Sequence, residues 1–317
     1  MSLAPNRAET IAVCLAVLFR CTAITATVTA LAAGCGDGGT GPEPAPTSQI
    51  VFQSTRLTGT AGIFLMDPDG GNVRPVLADT AINSSPALSP DGTRILFSST
   101  RTGTPAIHVI NLDGTGLTRI TTGALSEANP AWSPDGSRIV FQREPTQDFP
   151  QGGGLFTINA DGTGLAQVRD NGGQPAWSPD GTRIAFVDVA SNGTDFSLYL
   201  IDPDGSGLSE ILTRAGSLDD PAWSPDGTKI AYGGVGPDNQ EIFVVNADGS
   251  NVVNLTNTAA PLGEIQPAWS PDGNEVVFTA FRNDNQEIVR RRADGSGEVV
   301  LTDLGARDMH PSWSARP

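Results

Sequence analysis

The chain has 317 residues, a formal charge of −16, 37 glycines and 24 prolines, but only 19 Lys plus Arg. So acidic a composition excludes nucleic-acid partners, which need basic patches for phosphate. The glycine and proline content favours many turns and short strands over long helices, and the length fits two domains or one large all-β domain.

Residues 11–19, IAVCLAVLF, are apolar; Arg20 interrupts, and CTAITATVTALAAGC follows. The stretch is too short and too broken for a good membrane span, and it reads as an export signal over 1–34. LAAGC at 31–35 resembles the bacterial lipoprotein signal, with Ala32 where that signal usually carries leucine. The resemblance implies cleavage before Cys35 and acylation of its thiol. An ordinary secretion signal with an incidental cysteine is the plainer alternative. Residues 36–49, GDGGTGPEPAPTSQ, lack apolar periodicity, so 35–49 is expected to be a tether following the lipidated cysteine. The only cysteines are Cys14, Cys21 and Cys35, so neither disulfides nor cysteine ligands can organise the rest.

From residue 50 onward one unit recurs. Pro86, Pro130, Pro175, Pro221, Pro267 and Pro311 stand 44, 45, 46, 46 and 44 residues apart. Four of them open PAWSPDG, at 130–136, 175–181, 221–227 and 267–273. Two residues after each SPDG comes an apolar run such as ILF at 95–97 or IVF at 139–141. A second motif follows, such as IHVINLDGTG at 107–116 or LYLIDPDGSG at 198–207. Four short apolar segments in about 45 residues make one propeller blade. The proline is expected at the start of the innermost strand, where a missing N–H breaks no ladder. The body begins mid-unit with IVF at 50–52 and ends with PSWSARP at 311–317, the piece the first unit lacks. The expectation is an all-β, six-bladed propeller over 50–317, closed by joining both ends of the repeat and so free of exposed sheet edges.

PAWSPDGTRIAF followed by LYLIDPDGSG resembles the WD40-like propeller repeat of the TolB C-terminal domain, across essentially all of 50–317. The Gly-His and Trp-Asp signatures of true WD40 repeats are absent, and a short linker stands where TolB carries an α/β domain. The resemblance implies a periplasmic, protein-binding propeller in an envelope assembly.

The serine and aspartate of SPDG could suggest nucleophilic chemistry, but a serine nucleophile needs a base, usually a positioned histidine. The chain has only His108 and His310. Ser133, Ser178, Ser224 and Ser270, with the aspartates two residues on, are therefore expected to bond turn backbone. Trp132, Trp177, Trp223, Trp269 and Trp313 are expected to fill the space between blades, as is Leu88 at the same position of another repeat. The DxDG series lacks the later glutamate of a calcium loop and reads as turn chemistry. Arg290, Arg291 and Arg292 break the second motif, either as a more exposed strand or as a contact surface. His108 lies within a strand and reads as structural.

The SPDG and DxDG turns share one face and are nearly uniform; the loops of the other face differ in every copy, which points to recognition there. Just before each proline stand Ser85, Asn129, Gln174, Asp220, Gln266 and His310. Two residues earlier stand Asn83, Glu127, Gly172, Leu218, Glu264 and Asp308. Residues two apart share a strand face, so a hydrophilic, largely acidic ring is expected at the channel mouth. The binding candidates are Ser85, Glu127, Asn129, Gln174, Asp220, Glu264, Gln266, Asp308 and His310. The main reading is a lipid-anchored, monomeric envelope protein that binds a protein or peptide there. It would touch the membrane through its acyl group only and need no cofactor or metal. The alternatives are a carbohydrate hydrolase or lyase using His310 with Asp308, Glu264 or Asp220, and a small-ligand sensor in the channel.

Overall fold

The computed structural model describes residues 48–145, 152–190, 193–259, 263–282, 285–302 and 305–315. The expected signal over 1–34, Cys35 and linker residues 36–47 lie outside the described residues. Ser48 and Gln49 already belong to the first strand, Ser48–Ser54.

The strands form six four-stranded antiparallel sheets. Numbered in chain order from Ser48, the blades have inner strands Asp308–Ala315 (blade 1), Asn83–Leu88 (blade 2), Glu127–Trp132 (blade 3), Gly173–Trp177 (blade 4), Leu218–Trp223 (blade 5) and Gly263–Trp269 (blade 6). Consecutive inner strands lie side by side around a closed ring. Closure occurs in blade 1, where Ser48–Ser54 pairs with both Gly62–Met66 and Asp308–Ala315. The protein is a six-bladed β-propeller whose first blade takes strands from both ends of the repeat.

The apolar runs are continuous because both faces of each blade are covered. In ILF of blade 2, Ile95 and Phe97 pack toward blade 1 with Val51, Ile63 and Leu65. Leu96 points the other way, toward Trp132 and Phe141 of blade 3. This is the two-residue alternation of a strand, with apolar packing on each side. Trp132, Trp177 and Trp269 are each buried in a seam between blades, Trp223 and Trp313 pack half-buried in theirs, and Leu88 fills the remaining one.

The SPDG turns are built alike in five blades. The Ser89, Ser133, Ser178, Ser224 and Ser270 hydroxyls donate to the aspartate two residues on at 2.5–2.6 Å. The same oxygens accept the backbone N–H five residues on at 2.9 Å. The donated hydroxyl is the largest cause holding each aspartate below its ordinary pKa, Asp135 at about 2. Both valences of the serine are thus used locally, and the turn is scaffold. In the other turn series Asp113, Asp161, Asp204, Asp248 and Asp294 accept from backbone N–H groups in the same manner.

The prolines do not begin the inner strands. In every blade the ladder skips the pre-proline residue and the proline, which together oppose one buried aromatic of the next strand. Ser85 and Pro86 face Phe97, and Gln174 and Pro175 face Phe186. The same skip recurs in the other four blades. This is a β-bulge, where an absent N–H also breaks no ladder bond.

Candidate functional site

The bulge positions the site. Ser85, Asn129, Gln174, Asp220, Gln266 and His310 all have φ between 49° and 59°. A residue before proline is ordinarily held in the extended region, and left-handed backbone costs a non-glycine residue about 1–2 kcal/mol. Glycine would adopt this φ freely, yet none of the six positions carries it. The six side chains and the prolines after them line a central cavity of about 130 Å³. All six pre-proline candidates are therefore brought together, one from each blade.

The other candidates are not. Glu127, Glu264 and Asp308, like Asn83 at the same position of blade 2, are fully or almost fully buried rather than set on an open rim, because the bulge breaks the two-residue alternation between them and the ring. Asp308 pairs with Arg56 at 2.8 Å, and Glu127 with Arg143 at 2.7 Å. Asn83 accepts from Arg101 at 2.7 Å. The arginines stack on the bulge aromatics: Arg143 lies 4.1 Å from the Phe156 ring centroid and 5.7 Å from that of Phe141. These groups brace blades 1 to 3. Blade 6 differs: Glu264 lies near Glu241, both accepting from the Thr258 hydroxyl. Burial pushes Glu264 up to about 7, with Glu241 adding to the rise. The expected acidic mouth is thus corrected to a neutral-to-acidic ring with a buried second tier.

Within the ring, Ser85 donates to Asn129 Oδ1 at 2.9 Å, and Asn129 Nδ2 donates to Gln142 Oε1 at 3.2 Å. Gln266 Nε2 lies 2.7 Å from His310 Nε2, and the His310 backbone N–H donates to Gln266 Oε1 at 3.0 Å. Thr279 also donates to Gln266 Oε1, at 2.8 Å. Burial pushes His310 down to about 4, so it is neutral near pH 7. Among the described residues, no hydrogen bond or ion pair joins His310 to Asp308, Glu264 or Asp220. Asp220 is pushed up to about 7, first by burial and then by the Asp219 charge.

A second cavity of about 350 Å³ adjoins the ring at blade 4 and shares Asn129 and Gln174 with it. Gly172, Gly173, Val189, Phe196, Leu218 and Asp219 are among the residues that line it. Sequence reasoning missed Gln142 and Thr279, which orient ring side chains from the second strands, because only the ladder register brings them there. One lining residue of the blade 4 cavity does stand out in the sequence: Gly172 lies where the other repeats carry a side chain.

His108 is buried, stacks on Phe97 with centroids 5.9 Å apart, and bonds the Ala106 carbonyl at 2.9 Å. Arg290 pairs with Glu275 at 3.0 Å. Arg291 pairs with Glu298 and donates to the Thr256 carbonyl at 2.6 Å. These two arginines are tied into blade 6 and its seam with blade 5, while Arg292 is exposed.

Residues 37–152 and 151–316 each match the family model PD40, TolB beta propeller domain. TolB from Acinetobacter baumannii is similar in fold, with a TM-score of 0.73 and 20% identity over 85% of this chain and 67% of that one. A putative TolB from Agrobacterium tumefaciens gives a TM-score of 0.66 and 21% identity, covering 86% of this chain and 99% of the other. An oligogalacturonate lyase from Vibrio parahaemolyticus gives 0.53 and 14%, over 80% and 73%. No curated protein sequence matches. At such identities the likenesses are of fold, whereas the two family matches span nearly the whole ring: the chain belongs to the TolB beta propeller domain family.

Proposed function

We propose that this propeller is a protein- or peptide-binding module of the bacterial cell envelope, held to the membrane by an acyl group on Cys35, that engages its partner at the central ring and the loops around it. The observation carrying this reading is the set of six pre-proline residues. They share one costly backbone conformation and converge on one cavity, yet they carry five different kinds of side chain. Strain held at a concave site argues for use of the side chains it presents. The fold family adds coarser support, since a TolB-type propeller suits a binding module. The catalytic alternative is weaker, because His310 has a glutamine rather than a carboxylate beside its Nε2.

The test is selection from a random displayed-peptide library on the purified propeller, followed by binding to an Asn129→Ala/Gln174→Ala/Gln266→Ala variant. Selected peptides are expected to lose most of their affinity for the variant. Equal binding to both proteins would remove the ring as the site. Acylation is tested separately: mass spectrometry of the membrane fraction should find Cys35 lipidated and a Cys35→Ser protein soluble.

A further inference from the structure

The central ring and the blade 4 cavity share Asn129 and Gln174, and we propose that together they take a peptide bearing a free primary ammonium. The ammonium would sit against Asp220, with an apolar neighbour lying over Val189 and Phe196. This rests on the peptide-binding reading above and names the class of peptide.

Beside the ring, blade 4 departs from its siblings. At the position two before the ring residue, the other blades carry Asp308, Asn83, Glu127, Leu218 and Glu264, and blade 4 carries Gly172. A Cβ on Gly172 would fall 2.6 Å from the Phe186 ring, and one on Gly173 would fall 2.5 Å from Gln142 Oε1. The glycines thus let Phe186 and Gln142 pack against the inner strand, and the cavity beside them shares Asn129 and Gln174 with the ring. A chain lying in that cavity can therefore reach the ring with one end or one side chain. The ring cavity of about 130 Å³ is of the size that admits one small side chain.

The lining decides which end enters. It holds Asp219, Asp220 and Asp188 but neither lysine nor arginine. Asp188 is paired with Arg169 at 3.1 Å from outside the cavity. Among the described residues Asp220 has no hydrogen bond and no cationic partner, and the other ring side chains are uncharged, His310 included near pH 7. A half-buried carboxylate without a partner favours an incoming cation. Asp220, raised by burial, is the group that gains most from one. At the outer end, Val189 and Phe196 face each other across the hairpin, and both are exposed, 49% and 37%. An apolar residue beside the ammonium would cover them.

The experiment uses three hexapeptides identical from the second residue, a leucine, onward and each labelled at the C-terminus. One has a free N-terminal amine, one is N-acetylated, and one is N-acetylated with lysine first. Fluorescence anisotropy on the propeller is expected to show at least one amine form binding about tenfold or more tighter than the acetylated, lysine-free form. The two amine forms separate a terminal from a side-chain ammonium. Asp220→Asn, which keeps the shape, should abolish that preference, and Phe196→Ser should weaken every form that binds. Equal binding of amine and acetylated peptides, or a preference that survives Asp220→Asn, would overturn the proposal. If none of the three binds while library-selected peptides still bind at the ring, the ammonium reading fails and the peptide-binding reading stands. If nothing binds, both fail.

Discussion

Each inner strand carries two repeated positions that behave in opposite ways. At its SPDG end, five blades hold a serine with the same donor and acceptor at the same distances, and the side chain is consumed by the turn. At the bulge, six blades hold the same backbone φ but present serine, asparagine, glutamine, aspartate and histidine into a shared cavity. Uniform side chains with satisfied hydrogen bonds mark the parts that build the ring. Uniform backbone with varied side chains marks the positions on which the binding proposal rests.

Several substitutions would break or sharpen that contrast. The largest effect is expected on the scaffold side: Trp177→Ala empties the seam between blades 3 and 4 and should cost about 3–5 kcal/mol in denaturant unfolding. Ser178→Ala removes a donor from Asp180 and an acceptor from the Arg183 N–H, and should cost about 1–3 kcal/mol while peptide affinity stays unchanged.

The ring itself should respond to pH with a sign set by each group. The folded-state pKa of Asp220, about 7, lies above its ordinary 3.8. Its contribution is therefore complete below about pH 4 and is lost as pH rises through 7. Glu264 acts in the same direction. His310, lowered to about 4 from 6.5, contributes fully above 6.5 and loses that contribution as pH falls toward 4. Thermal midpoints measured from pH 4 to 8 should therefore fall less on the alkaline side in Asp220→Asn and less on the acid side in His310→Gln. Profiles identical to that of the parent would remove both groups from the cavity.

The smallest effect is the most diagnostic of strain. Gln174→Gly relieves a positive φ and should leave stability unchanged or raise it by up to about 1 kcal/mol, while binding is lost. Marked destabilisation would mean that the glutamine side chain serves the fold.

The fold was legible because the repeat is: the proline spacing, the apolar runs and the two turn motifs each return six times or nearly so. The ring positions were legible because the proline flags them. The bulge was not, since it exists only in the pairing of two strands; without it, the two-residue rule carried Glu127, Glu264 and Asp308 onto the wrong wall. Gln142 and Thr279 were hidden for the same reason. Gly172 was visible in the sequence, but its meaning needed the neighbouring side chains that a Cβ would strike.

The most direct measurement compares one library-selected peptide on four proteins: the parent, Ser178→Ala, Gln174→Gly and the Asn129/Gln174/Gln266 triple alanine variant. Unchanged affinity for the turn variant, with loss of most binding in both ring variants, is the expected result. Full affinity in the ring variants, or a loss in the turn variant as large as in the ring variants, would contradict the assignment of the bulge ring as the binding site.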